Sequence, residues 1–208
     1  INYQADTTPR EDTGTFDPLA IRPSDFKSII TRAKGAHLTP TDFSTHISAP
    51  IQLREMGVPL INLDPCGVYM QPDCREKLST IINGLDSFLP SEDEAKAFFR
   101  PLEPDPWEMS EVLGAMGCQF VVIKCGARGQ TLWDRFTGRK RRIPAYPARV
   151  YDVTGAGDSF CGGYLAVLAQ TDEPVEAALH GSVSASIVIE GTGALFALDS
   201  LPGLLQAR

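Results

Sequence analysis

From about residue 35 onward, short apolar runs alternate with longer stretches of helical spacing. Val58 to Leu63 and Phe120 to Lys124 are nearly continuous β-compatible runs, and Gly35 to Leu38 and Ser87 to Leu89 are shorter ones of the same kind. Such runs leave no face for water, which predicts strands of a parallel sheet covered on both sides. The intervening stretches predict helices from Thr41-Asp42 to about Glu55, Asp73 to about Asn83, Ser91 to Phe99 and Pro106 to Met116. Ser91 followed by Glu94 has the spacing of a capping box, and Pro104 and Pro106 limit the start of the last helix. Farther on, Thr131 to Phe136 and Arg142 to Ala145 read as a strand pair around Gly138. Helices follow from Gly157 to about Gln170 and from Pro174 to about Glu190, the second with small residues that let it lie close to a neighbour or a flat ligand.

This alternation, with no linker to divide it, predicts one α/β domain. Its sheet is mostly parallel and doubly wound, with helices on both faces. The domain is expected over residues 24–208, after an extended or mobile arm over residues 1–23 that carries Asp, Thr, Pro, Glu and Gly without a firm period. A chain of 208 residues buries enough surface for one sizeable core, and 43% hydrophobic content argues against disorder.

Composition narrows the function classes. A net charge of −7 disfavours broad affinity for nucleic acid. Arg139-Lys140-Arg141-Arg142 breaks the acidity and reads as a solvated hairpin or loop, or as a contact for nucleotide or partner phosphates. The five cysteines have no metal-ligand spacing, and Cys118, Cys125 and Cys161 read as small core residues of a reduced protein. No apolar run is long enough to span a membrane and no signal segment opens the chain, so the expected location is the cytoplasm. A chain that opens at Ile1 can still lack an upstream leader or region.

The chemistry concentrates in residues 150 to 160, Val-Tyr-Asp-Val-Thr-Gly-Ala-Gly-Asp-Ser-Phe. A β-compatible stretch leads into a glycine turn and then an apolar helix, so several backbone N–H groups converge on one spot, as proteins arrange them to hold a phosphate. Read structurally, the same glycines permit a tight βα turn, Asp158 is an acidic residue in a first helical turn, and Asp152 caps the turn. Ser159 sits in no nucleophile elbow, and the three histidines form no triad or metal constellation.

Val153 to Phe160 closely resembles the signature of the ribokinase-like sugar kinases, the phosphofructokinase-B type, with Val153 in place of a usual Thr. The resemblance implies that Gly155, Ala156 and Gly157 form the anion hole around the transferring phosphoryl group. It also implies that Asp158 is the base for the acceptor hydroxyl, with Asp152 on the loop or acceptor side. Val121 to Gly129 looks like the strand and glycine loop that flank the nucleotide, implying roles there for Lys124, Gly126, Arg128 and Gly129. Ser91-Glu92-Asp93-Glu94 resembles the Asn-x-x-Glu element of the magnesium region, with Glu94 kept and Ser91 in place of Asn. Ser182 to Ser186 and Gly191-Thr192-Gly193-Ala194 resemble the helix and loop beside the adenine, bringing in Ser182, Gly191 and Gly193.

The likeness covers about residues 35 to 198, the C-terminal two-thirds of such an enzyme. The family's N-terminal Gly-Gly element, acceptor-gripping acid and lid strands have no counterpart here. The expected activity is transfer of a phosphoryl group from ATP, with Mg2+, to a hydroxyl of a sugar, nucleoside or related metabolite. The alternative is a shortened kinase scaffold without turnover that binds a ligand or partner, or runs different chemistry in the same crevice. The missing region leaves a sheet edge open to homodimerisation or to an upstream segment.

Overall fold

The computed structural model describes residues 30 and 32–199. The arm expected over residues 1–23 lies outside the described residues. Strands β1 (Ala36–Leu38), β2 (Ile61–Leu63), β3 (Ser87–Phe88) and β4 (Phe120–Lys124) lie side by side in chain order and pair in parallel. Strands β5 (Gln130–Asp134) and β6 (Arg139–Ile143) continue the same sheet in antiparallel register.

The crossovers carry α1 (Phe43–Glu55), α2 (Arg75–Ile82), and the pair α3 (Glu92–Phe99) and α4 (Pro106–Gly114). Connections of one hand between strands that advance in one direction put all these helices on one face. The other face is covered by α5 (Ala156–Thr171) and α6 (Pro174–Val188). The sheet is mixed, mostly parallel and covered on both faces, which is the expected fold class.

Strand alternation divides the core in two. Val121 and Ile123 of β4 pack with Ile61, Leu63, Phe88, Phe98, Met109 and Leu113. Phe120 and Val122 point the other way, into a core with Leu132, Phe160, Tyr164 and Leu168. Burying a side chain such as Phe160 or Leu168 contributes about 1.5–3 kcal/mol each, so α5 is fixed against the sheet chiefly by this apolar face.

The helix starts follow local chemistry. Asp42 accepts the Thr45 N–H at 2.9 Å at the head of α1, and Ser91 with Glu94 closes a capping box on α3. Asp105 and Glu108 close a second box on α4, with Pro106 in its first turn.

Strand β6 begins three residues earlier than the sequence pattern predicts, so the basic run is itself the strand. Asp134 caps the preceding turn, accepting the Phe136 N–H at 3.0 Å and the Thr137 hydroxyl at 2.5 Å, and this brings Arg139 opposite Asp134. All four basic residues are exposed on an edge strand, where charge deters pairing with another chain. Lys140 also meets Glu111 of α4 at 2.7 Å.

All five cysteines are free; Cys118 and Cys161 are buried, whereas Cys125, the residue after β4, is half-buried against the first core. Among the described residues no helix is long and apolar enough to cross a membrane.

Candidate active site

Ligands of open α/β sheets gather outside the carboxyl ends of the parallel strands. Here those ends deliver Asp64 after β2, Ser91 and Glu94 after β3, and Lys124 at the end of β4. The amino terminus of α5 closes over them. Gly155 is its cap, in the left-handed region at φ 82°, and a Cβ there would lie 2.8 Å from the Cβ of Ala194. Only glycine allows both the conformation and the approach.

Asp152 ties the two loops together. Its Oδ1 accepts the Thr154 N–H at 2.9 Å and its Oδ2 accepts the Gly193 N–H at 2.9 Å. The Thr154 N–H first, then the Thr154 hydroxyl and the Gly193 N–H, hold this carboxyl below the usual carboxylate range. Within the loop, the Ala156 N–H is donated to Val153 O at 3.1 Å and the Ser159 N–H to Gly155 O at 2.9 Å. Gly157 and Asp158 therefore supply first-turn amides that have no intrahelical carbonyl to meet. The Asp158 side chain is exposed at the same end.

A buried ion pair lies directly under this turn. Lys124 Nζ donates to Asp64 Oδ2 at 2.6 Å and lies 3.7 Å from Cys161 Sγ. A Cβ built on Gly157 would lie 3.6 Å from that Nζ and 3.8 Å from that oxygen. Burial works against the Lys124 ammonium, but the Asp64 carboxylate at hydrogen-bond distance offsets it, and the pKa is raised. Burial pushes the Cys161 thiol up to about 12, so it is neutral at ordinary pH.

Glu94 sits beside this pair at the start of α3. Its Oε2 accepts the Ser91 N–H at 2.8 Å and the Ser91 hydroxyl at 2.6 Å. Burial raises its pKa, with the Ser91 contacts pulling back. Among the described residues no group of three or more His, Cys, Asp and Glu could hold a metal by itself. Glu94, with Asp64 near it, offers the one or two carboxylates through which proteins commonly hold magnesium together with substrate phosphates.

The remaining predicted residues fall into two groups. Gly126 (φ 57°) opens a short turn over Gly126–Arg128, and a Cβ on it would meet nothing within 4 Å. Gly129 (φ 83°) lies against β6, where a Cβ would come 2.0 Å from Ile143 O. Gly193 has open space and ties to Asp152, as above. By contrast, Arg128 is ion-paired to Glu92 of α3. The Ser182 hydroxyl accepts the Tyr146 N–H at 3.1 Å and donates to Pro144 O at 3.4 Å. Gly191 lies under the Phe196 ring.

Sequence reasoning missed Asp64, the residue that directly follows the Val58 to Leu63 run, and it missed the polar row beside it. His37, Asn62 and Ser87 are register partners across β1, β2 and β3 and share the face toward α5. Ser87 bonds to the Tyr164 hydroxyl at 3.2 Å, while the His37 ring and the Asn62 amide are buried without hydrogen-bond partners among the described residues. Burial first, then Lys124, lowers the His37 pKa to about 4 from an ordinary 6.5, with Asp158 opposing.

That shift carries a prediction. Between pH 6.5 and about 4 the unfolded chain binds a proton at His37 that the folded chain refuses, so stability falls as pH falls through this window. The loss reaches about 3 kcal/mol, and His37→Phe should remove that part of the pH dependence in denaturant titrations. An unchanged profile in the variant would show that other groups set the acid limb.

Comparison with known proteins fits this arrangement. The model of the "pfkB family carbohydrate kinase" matches residues 55–201, a span that holds Asp64, Glu94, Lys124 and the Gly155–Asp158 loop. The chain is 30% identical over 92 residues to a cytidine kinase of Thermococcus kodakarensis, covering 44% of this chain and 32% of that one. It is 25% identical over 178 residues to a ribokinase of Haemophilus influenzae, covering 82% and 57%. The structure of Arabidopsis thaliana ribokinase complexed with ribose and ATP superposes with a TM-score of 0.70 at 22% identity, over 84% of this chain and 55% of that one. The chain thus spans about a third to somewhat over half of these relatives. By the match over residues 55–201, this chain belongs to the pfkB family of carbohydrate kinases.

Proposed function

We propose that this chain carries the nucleotide and phosphoryl-transfer part of an ATP-dependent kinase. Its acceptor is a hydroxyl of a sugar, nucleoside or related small metabolite. The observation that carries the reading is the α5 amino terminus. Among the described residues, two first-turn amides with no intrahelical acceptor and an exposed Asp158 occupy one turn, with the Lys124–Asp64 pair beneath.

Phosphoryl transfer asks a protein mainly for alignment and for donors toward the equatorial oxygens. The Gly155–Gly157 turn is the anion hole, with the amides of Gly157 and Asp158 facing the anion and Ala156 shaping the bend through its own bond to Val153. The α5 dipole adds favourable polarity at the same point. Asp158 accepts the acceptor's hydroxyl proton, a role set by its reach to that proton. Asp152 holds the turn against the Gly191–Ala194 loop and so fixes the side from which the acceptor approaches.

ATP is the co-substrate, lying along Lys124, Gly126, Arg128 and Gly129 on one side and Ser182, Gly191 and Gly193 on the other. Glu94 would hold Mg2+, which neutralises charge on the phosphates when bound. The Arg128–Glu92 pair opens for Arg128 to cover the nucleotide. Names of relatives that phosphorylate a nucleoside and a sugar support the breadth of the acceptor class.

A second reading, ligand or partner binding without turnover, is favoured by one observation. Strand β1 is a sheet edge among the described residues, and His37 on it and Asn62 on neighbouring β2 have buried polar atoms without partners.

Titration calorimetry of the 208-residue chain with magnesium-ATP, followed by transfer assays on a sugar and nucleoside panel, separates the two. Saturable, magnesium-dependent binding and a phosphorylated product are expected. Binding without product supports the second reading, and no binding by a folded chain removes the phosphoryl reading altogether.

A further inference from the structure

We infer that Asp64 is a positioning residue for phosphoryl binding: it holds the Lys124 side chain beneath Gly157, where the lysine's charge completes the anion site of the Gly155–Asp158 loop. The inference rests on the reading of that loop as a phosphoryl site.

The geometry is specific. Lys124 Nζ is 2.6 Å from Asp64 Oδ2, and both atoms lie within 4 Å of where a Gly157 Cβ would be. Asp64 is 7% exposed, so its carboxylate is held by protein contacts rather than by solvent. A lysine on a flexible four-carbon stem takes many rotamers and sheds its proton readily when buried alone. A carboxylate at hydrogen-bond distance removes both freedoms.

The placement is also electrostatically unusual. A cation under a helix amino terminus opposes the helix dipole and would not be kept there for stability alone. It becomes favourable when an anion occupies the turn above it. Asp64 offsets the clash while the turn is empty, and the arriving phosphoryl shares the lysine charge.

The groups that bear on Lys124 come from every element around it. They are His37 on β1, Asp64 after β2, Glu94 on α3, and Asp158 and Cys161 on α5. Cys161, pushed up to about 12 by burial, and His37, lowered to about 4 by burial, are both neutral near pH 7. Of the three carboxylates, only Asp64 makes an ion pair with Lys124.

The test is calorimetry of magnesium-ATP with the full chain between pH 7 and 9, in buffers of different ionisation enthalpy. In Asp64→Asn, Lys124 loses its counter-ion and titrates within this range. Affinity should fall at least about tenfold from pH 7 to 9, with proton uptake on binding, against a change below about twofold in the parent. Asp64→Glu should restore the parent profile. Should Asp64→Asn fail to fold, Asp64→Asn/Lys124→Met leaves no lone buried charge, and it should bind at least about tenfold more weakly without pH dependence.

A folded Asp64→Asn chain with the parent's affinity and proton balance at every pH overturns the inference, as does parent affinity in the double variant. Failure of the parent chain itself to bind magnesium-ATP overturns the phosphoryl reading first and this inference with it.

Discussion

Asp158→Asn is expected to lower phosphoryl transfer by about 10²- to 10⁴-fold, while magnesium-ATP affinity stays within about twofold of the parent. The argument begins with what the substitution leaves alone. Asparagine has nearly the same shape, and Asp158 is exposed on the first turn of α5, so neither packing nor the backbone course of the turn depends on its charge. Loss of a carboxylate near a helix amino terminus costs about 0.3–1 kcal/mol, too little to unfold a domain. The amides of Gly157 and Asp158 stay in place, so the proposed anion hole persists. What disappears is the carboxylate proposed to take the acceptor's proton. Steady-state transfer with the best acceptor from the panel should therefore show the loss in kcat, with KM for ATP nearly constant. Equal kcat in both proteins would show that Asp158 is not the base.

Much of this was legible in the chain, for reasons that differ by element. Strand β4 appeared as Phe120–Lys124 because a central strand with two apolar faces is a continuous run that nothing else explains. The α5 turn was legible as a turn because its glycines and acid are consecutive residues. Strand β6 was misplaced because charge at four successive positions does not look like a strand until an edge and the Asp134 turn are known.

Asp64 was the larger omission. Its partner Lys124 is 60 residues away in sequence, and their meeting depends on β2 and β4 lying on either side of β3 with carboxyl ends together. Sequence pattern can end a strand at Asp64-Pro65, but it cannot say which side chain waits at the end of another strand. The same holds for Ser182 and Arg128. Their types suggest nucleotide contacts, while their partners, Pro144 and Tyr146 for one and Glu92 for the other, are brought to them by folding.

Gly181→Val should destabilise the domain by about 2–3 kcal/mol and also weaken magnesium-ATP binding, although residue 181, on α6, is none of the residues placed along the nucleotide. Helices α5 and α6 pack closely because glycines lie at their crossing. A Cβ on Gly181 would sit 2.8 Å from Phe160 O and 3.0 Å from two ring carbons of Phe160. A backbone oxygen cannot rotate aside, so one helix must shift. Replacing glycine inside a helix gains up to about 1 kcal/mol in propensity, but valine's branched side chain returns part of that and the clash exceeds the rest. The displaced atom belongs to the residue two places after Asp158, so the shift falls on the turn that carries the proposed anion hole. Leu179→Ala is the control, since Leu179 is on the same helix and exposed; it should leave stability nearly unchanged and binding intact. Denaturant midpoints and calorimetric affinities for the two variants decide the matter. Lost stability with parent affinity in Gly181→Val would mean that α5 absorbs the strain away from its first turn, and that the turn is held by Asp152 and the Gly193 loop more firmly than by α6.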